Sequence, residues 1–297
     1  AMAYRAGLEQ NQANMQAKIE KTTGEKLDVV WNLTLAANAI SANVEYGQIA
    51  EIEKVPGVKR VYVEDRYDPA VVNTELEADP NMSTSSSMIG TSAAYASGYT
   101  GAGSRIAVID TGIDTDHQSF DAGAFDYSLE EQASNAGKTV ADYHLLNPAE
   151  INRVMDQLHV TGVTSDQLYV NSKIPFGYNY VDDDLDITHD NDTQGEHGSH
   201  VEGIAAANAY IPDGNGGYDH AIPSVFVQGV APDAQIIAMK VFGKNGGAYE
   251  SDYMVAMEDA IVLGCDAVNL SLGAPNPGNT RHEESIYQAI LDKLASS

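Results

Sequence analysis

The 297-residue chain is 43% hydrophobic and 20% charged, ordinary for a soluble globular protein, but its net charge of −27 is not. So acidic a surface excludes nucleic acid and anionic membranes as partners, because phosphate recognition needs a basic footprint. A single cysteine, Cys265, rules out an intrachain disulfide and a cysteine-based zinc site, and no apolar run approaches the roughly 20 residues of a membrane span.

The charge is unevenly spread. Residues 1–69 carry 8 basic and 10 acidic side chains, whereas the remaining 228 carry 8 and 33. The first residues lack the basic and apolar regions of a signal peptide, so an exported protein would have lost its signal before this sequence starts.

Residues 4–20 predict an amphipathic helix, with Tyr4, Leu8, Met15 and Ile19 on one stripe and Gly24 just past its end. Strands are expected at Asp28–Thr34 and Ile40–Val44. A short helix over Tyr46–Lys54 should stop at Pro56-Gly57, and Val58–Val63 reads as a further strand. The α-β-β-α-β order describes a small α+β, ferredoxin-like module whose first strand is absent. From Arg66 to Ser87 the chain is loop-like, broken by Pro69 and Pro80 and Ser-rich at Ser83–Ser87, which makes it an exposed connector open to proteases.

Beyond it, strands fit Arg105–Ile109, Gln235–Val241 and Ala267–Leu270, and helices fit His197–Ala207, Ser251–Leu263 and Glu283–Ala295. Such alternation predicts an α/β domain, a parallel sheet with helices on both faces, whose reactive groups gather at the carboxyl ends of its strands. Residues 121–176 interrupt the pattern as an insertion. Within it Asn147-Pro148-Ala149-Glu150 is a helix start, with a capping side chain, proline in the first turn and glutamate three residues after the cap.

Two stretches carry the chemistry. Ile106-Ala107-Val108-Ile109-Asp110 is an apolar strand that delivers a carboxylate at its tip, and Gly112 lets the chain turn sharply after it. His197-Gly198-Ser199-His200 puts an imidazole at the start of a small-residue helix. A serine hydroxyl becomes nucleophilic when an imidazole takes its proton, and the imidazole needs a buried carboxylate to fix its tautomer. Rival readings exist. Asp110-Thr111-Gly112 also spells an aspartic-protease motif, but that chemistry wants an all-β context and a second copy. His197 and His200 have metal-pair spacing, with Glu196 and Glu202 the further ligands at hand. The histidines at 117, 144, 159, 189, 220 and 282 have no distinguishing context and read as surface or hydrogen-bonded groups.

With both motifs placed, the chain resembles the subtilases, the subtilisin-like serine endopeptidases. Asp110 matches their D-[ST]-G motif and His197 their H-G-[TS]-H-V-x-G motif. Gly229-Val230-Ala231-Pro232, Lys240-Val241 and Val268-Asn269-Leu270-Ser271-Leu272-Gly273 match the strands that follow. Lys173–Tyr180 and the insertion before it are most similar to the cell-envelope proteinases (lactocepins), which are secreted and often attached to cell walls.

The resemblance implies that residues 1–69 are a propeptide acting as intramolecular inhibitor and folding chaperone. It implies that 70–87 is a linker holding the maturation junction, and that 88–297 is the N-terminal part of the catalytic domain. By the same resemblance Gly246, Gly247 and Ala248 would pair with substrate backbone on one side. Ser271, Leu272 and Gly273 would wall the pocket for the residue preceding the scissile bond. A polypeptide is the implied substrate.

Departures from the family pattern matter equally. Its serine motif does not follow Ser271. Gly90-Thr91-Ser92-Ala93-Ala94 imitates that motif but precedes Asp110, contrary to the family's Asp, His, Ser order. Glu202 stands where the histidine motif has a small residue. Ser119 stands where many relatives have a calcium-ligating aspartate, so no metal ligand is assigned, although the acidic run Asp182–Asp186 with Asp190 and Asp192 has the hard oxygens calcium prefers. The chain therefore reads as a zymogen fragment of a secreted serine endopeptidase, two-thirds of a triad and inactive alone. The alternative is a non-catalytic pseudoprotease that binds peptides.

Overall fold

The computed structural model describes residues 2–35, 37–69, 88–193, 195–225 and 227–273. The predicted linker 70–87 and the predicted helix Glu283–Ala295 lie outside the described residues. Those described fall into two units, one running up to Arg66 and including Tyr249–Glu258, the other spanning Tyr67–Ala248 and Asp259–Gly273.

The first unit opens with the helix Met2–Thr23, which ends where Gly24 takes a left-handed φ of 77° and returns its N–H to the Glu20 carbonyl. Strands β1 (Asp28–Leu33) and β2 (Ala39–Asn43) follow as an antiparallel pair, registered from Asp28 opposite Asn43 to Leu33 opposite Ala39. Ile19, Leu27, Ile52 and Val55 are buried together, with Met15, Val29 and Ile40 packed against them. The chain leaving β1 is held by one side chain. The Glu258 carboxylate accepts the backbone N–H groups of Thr34, Leu35 and Ala37 at 3.1, 2.9 and 3.2 Å.

Two expectations need revision here. The helix expected over Tyr46–Lys54 is a 3-10 turn, Tyr46–Gln48, running into the single turn Ile49–Ile52. Val58–Val63 is not a strand. Val58 and Val61 still pack on the core, but among the described residues β2 pairs with β1 alone, so this segment has no ladder to join.

The second unit is organised by a four-stranded sheet in the order β10 (Ala267–Asn269), β4 (Arg105–Asp110), β8 (Gln235–Lys240) and β5 (Phe176–Asn179), every neighbouring pair parallel. Strand β3 (Arg66–Pro69), which begins at the boundary of the first unit, joins a separate small sheet. In chain order after it come β4 (Arg105–Asp110), β5 (Phe176–Asn179), a hairpin of β6 (Tyr210–Pro212) with β7 (Tyr218–His220), and β8 (Gln235–Lys240). The last three are β9 (Ala248–Tyr249), β10 (Ala267–Asn269) and β11 (Leu272–Gly273). Residues of β8 and β5 are buried along their whole length, as a parallel sheet flanked by helices requires. Sequence periodicity alone does not separate β5 from the insertion, because four residues, Phe-Gly-Tyr-Asn, are too few to show a period.

Within the insertion, Asn147 caps the helix Pro148–Asn152 through the N–H groups of Ala149 and Glu150, while Glu150 turns to Arg153 at 2.7 Å. The insertion is pinned by fully buried Lys173. Its Nζ donates to the Pro232 and Ala234 carbonyls, both at 2.8 Å, and lies 4.8 Å from the Phe125 ring centre. No helix among the described residues is long and apolar enough to cross a membrane.

Candidate active site

Strand β4 is a central strand, and its burial deepens toward the end that presents Asp110, which is 1% exposed. This is the carboxyl end of a parallel sheet, where the chain leaves the ladder and side chains from several strands converge. The turn that follows is tight. Gly112 has φ 105°, and a Cβ there would lie 2.1 Å from the Ile187 carbonyl oxygen, so any side chain is excluded by backbone.

The helix His197–Ala206 is seated directly on that turn. A Cβ on Gly198 would come within 2.1 Å of the Gly112 oxygen. The Gly198 N–H donates to Thr111 Oγ1 at 2.8 Å, and the Asp114 N–H donates to Ser199 Oγ at 2.7 Å. The other end of the helix is held by Gly229-Val230-Ala231, whose N–H groups donate to the carbonyls of Ala207, Ile204 and Ala205. The small residues of both motifs thus serve close approach of backbones, and their product is the position of one imidazole.

That imidazole meets the carboxylate. His197 Nδ1 lies 2.7 Å from Asp110 Oδ1, the histidine side chain 10% exposed and the aspartate 1%. An ionised carboxylate only accepts, so the shared proton sits on Nδ1 and Nε2 is left with its lone pair. Burial pushes the Asp110 carboxyl up, while hydrogen bonds from His197 and from the Thr111 N–H pull against it. Oδ1 also takes the Thr111 N–H at 2.7 Å, whereas Oδ2 is buried and unpartnered.

Lys240, in register with Asp110 on β8, joins the surrounding loops. Its ammonium donates to the Thr111 carbonyl and to Asp192 Oδ2, the latter at 2.6 Å, with both side chains almost fully buried. One cation therefore ties the turn after Asp110 to the loop leading into His197. Lys240 follows four apolar residues, Ile236–Met239, and a lysine closing such a run is the sequence sign of a buried ion pair.

A second Asp–His contact has the same length and different chemistry. His159 Nδ1 lies 2.7 Å from Asp259 Oδ1, but Asp259 also accepts the His159 N–H and, on Oδ2 at 2.9 Å, the Tyr180 hydroxyl. Both of its oxygens are committed, which makes it an anchor for the insertion. His159 is thus a hydrogen-bonded histidine, as read.

The remaining candidates are distributed as follows. In the small sheet the order is β11-β3-β9, so residues 67–69 run between two other strands. Leu272 and Gly273 lie on β11, opposite Pro69 and Asp68, and Ala248 lies on β9. Gly246 and Gly247 precede β9 with φ of 79° and 78°, and Ser271 precedes β11 with its hydroxyl on Asn269 Oδ1. Ser92 is exposed on the helix Thr91–Ala96. Among the described residues no three His, Cys, Asp or Glu side chains are grouped to hold a metal ion. Carboxylates of the acidic run accept hydrogen bonds from the protein: Asp182 from Asn179 and the Lys244 N–H, Asp183 from Thr161 and the Tyr178 hydroxyl, Asp186 from Thr188 and Asn191.

The model of the family described as the subtilase family matches residues 101–296. The chain is 29% identical over 284 residues to the PI-type proteinase of Lactococcus lactis subsp. cremoris, covering 94% of this chain and 12% of that protein. It is 26% identical over 290 residues to the minor extracellular protease Vpr of Bacillus subtilis (strain 168), covering 92% and 28%. To subtilisin E of the same strain it is 26% identical over 296 residues, covering 99% and 56%. The chain thus spans about an eighth of the length of the first of these relatives.

Proposed function

The chain belongs to the subtilase family, and we propose that it is the propeptide and N-terminal catalytic part of an extracellular or cell-wall-associated serine endopeptidase. The observation that carries this reading is the 2.7 Å contact between His197 Nδ1 and Asp110 Oδ1. Asp110 fixes the tautomer and stabilises the imidazolium. His197 Nε2 takes the proton of a serine hydroxyl as that oxygen attacks a peptide carbonyl, and returns it to the leaving amine. Water then repeats the sequence on the acyl-enzyme. In this reading the serine lies outside residues 1–297, and the chemistry calls on no metal or cofactor.

Residues 1–69 are proposed to inhibit the site in cis. What supports this is the small sheet: residues 67–69 have strand partners on both sides, antiparallel to Leu272-Gly273 and beside β9, as a bound peptide gains its affinity from main-chain pairing.

The test uses two proteins. The full-length parent is expected to hydrolyse peptides and to react with a serine-directed fluorophosphonate, with activity abolished by His197→Ala. Residues 1–297 alone are expected to do neither, since loss of the nucleophile costs about 10⁶ in rate in subtilisin. Labelling of the isolated chain, or a parent that binds peptides without cleaving them, would overturn the reading in favour of another nucleophile or of a pseudoprotease.

A further inference from the structure

We propose that Glu202 is a positioning residue: it stays a neutral acid and donates its proton to the free oxygen of Asp110, locking the carboxylate in the orientation that meets His197. Glu202 lies one helical turn beyond Gly198, on the face of the histidine helix that rests against the Gly112 turn. It is 1% exposed, and its Oε2 is buried without a hydrogen-bond partner. Asp110 Oδ2 is buried and unpartnered as well.

Two orphaned carboxyl oxygens on packed elements are costly as separate anions, because a buried charge without a partner loses its hydration and gains nothing. A single proton between them removes both penalties, turning one group into a donor and leaving the other a satisfied acceptor. The surrounding charges point the same way. Burial pushes the Glu202 carboxyl well above the usual carboxylate range, and the like charge of Asp110 on β4 acts in the same direction. His197 is committed to Asp110 Oδ1, and Lys240 of β8 is committed to Asp192 and the Thr111 carbonyl. Among the described residues no cation pairs with Glu202. The departure of Glu202 from the histidine motif thereby acquires a role. It supplies Asp110 with a hydrogen-bond donor and caps the negative charge next to His197 at one.

The inference rests on the reading of Asp110 and His197 as a catalytic pair, yet its test needs no turnover and so fails or succeeds separately from that reading. In the 297-residue chain at pH 7, infrared difference spectra of wild type against Glu202→Gln should show loss of a protonated-carboxyl stretch; absence of that band overturns the proposal. Proton NMR should show the resonance of the proton shared by His197 Nδ1 and Asp110. Glu202→Ala should move it downfield, because Asp110 loses a competing donor and becomes the stronger acceptor. Glu202→Gln, which keeps an N–H donor, should restore the wild-type position. A resonance that ignores Glu202→Ala overturns the proposal, and if the alanine variant fails to fold, the infrared band and the glutamine variant still decide it.

Discussion

Across 87 residues of sequence, Asp110 Oδ1 and His197 Nδ1 come within 2.7 Å, with the carboxylate sealed from solvent and the imidazole slightly open to it. The contact sets the tautomer, and the tautomer sets which nitrogen is the base. Asp110→Asn preserves the shape but offers an amide N–H to the same nitrogen, so Nδ1 becomes the acceptor and Nε2 carries the proton. In the full-length enzyme this substitution is expected to lower kcat about 10⁴-fold with KM little changed. Steady-state peptide hydrolysis checks it, and a KM effect with kcat intact would show that Asp110 serves binding only.

The seat of the imidazole is a backbone contact, and backbones do not yield. Gly198→Ala places a methyl 2.1 Å from the Gly112 oxygen, which forces the histidine helix away from the turn. A loss of about 1–3 kcal/mol, or more, is expected from such overpacking. Gly203→Ala on the same helix meets nothing within 4 Å, and gains about 0.5–1 kcal/mol from helix propensity. Thermal melts of the two variants should therefore move in opposite directions; parallel shifts would mean that the close approach is relaxed in solution.

The parts of this molecule legible in the sequence are those that repeat a local rule. Arg105–Asp110 reads as a strand because four apolar or small residues precede a carboxylate, and Asn147-Pro148 reads as a helix start because its cap is local. Asp110 and His197 were legible because each sits in a run of small residues that has no use except close packing. What escaped depends on partners distant in sequence. Val58–Val63 has strand composition but no strand to pair with among the described residues. Lys240 and Asp192 are neighbours only after the sheet has formed, and no period or spacing announces them.

Lys240 and Asp192 are a buried pair whose members need each other. Lys240→Met removes the ammonium that pairs with the Asp192 carboxylate and a donor from the Thr111 carbonyl, an expected cost of about 3–5 kcal/mol. Lys240→Met combined with Asp192→Asn removes both members of the pair and is expected to recover part of that loss. Urea midpoints of the single and double variants check it. Equal midpoints would place the whole effect in packing around the lysine stem, with no electrostatic share.

The first unit contains a titration that one fluorophore can follow. Trp31, the single tryptophan of the chain, donates its Nε1–H to Asp252 Oδ1 at 2.9 Å. Burial pushes the Asp252 carboxyl from 3.8 up to about 6, and the nearby charge of Glu64 adds to this against the hydrogen bonds from Trp31 and the Tyr249 N–H. The folded chain thus holds this proton at pH values where the unfolded chain has released it. Stability credited to Asp252 is present below about pH 4 and is lost as pH rises through about 6, a change on the order of 3 kcal/mol. Asp252→Asn keeps an oxygen for Trp31 and cannot ionise. Urea unfolding followed by Trp31 fluorescence should therefore show wild type losing stability relative to Asp252→Asn between pH 4 and pH 7, with the gap constant above that range. Midpoints that run parallel across the whole interval would mean that water reaches Asp252 and ionises it at its ordinary value.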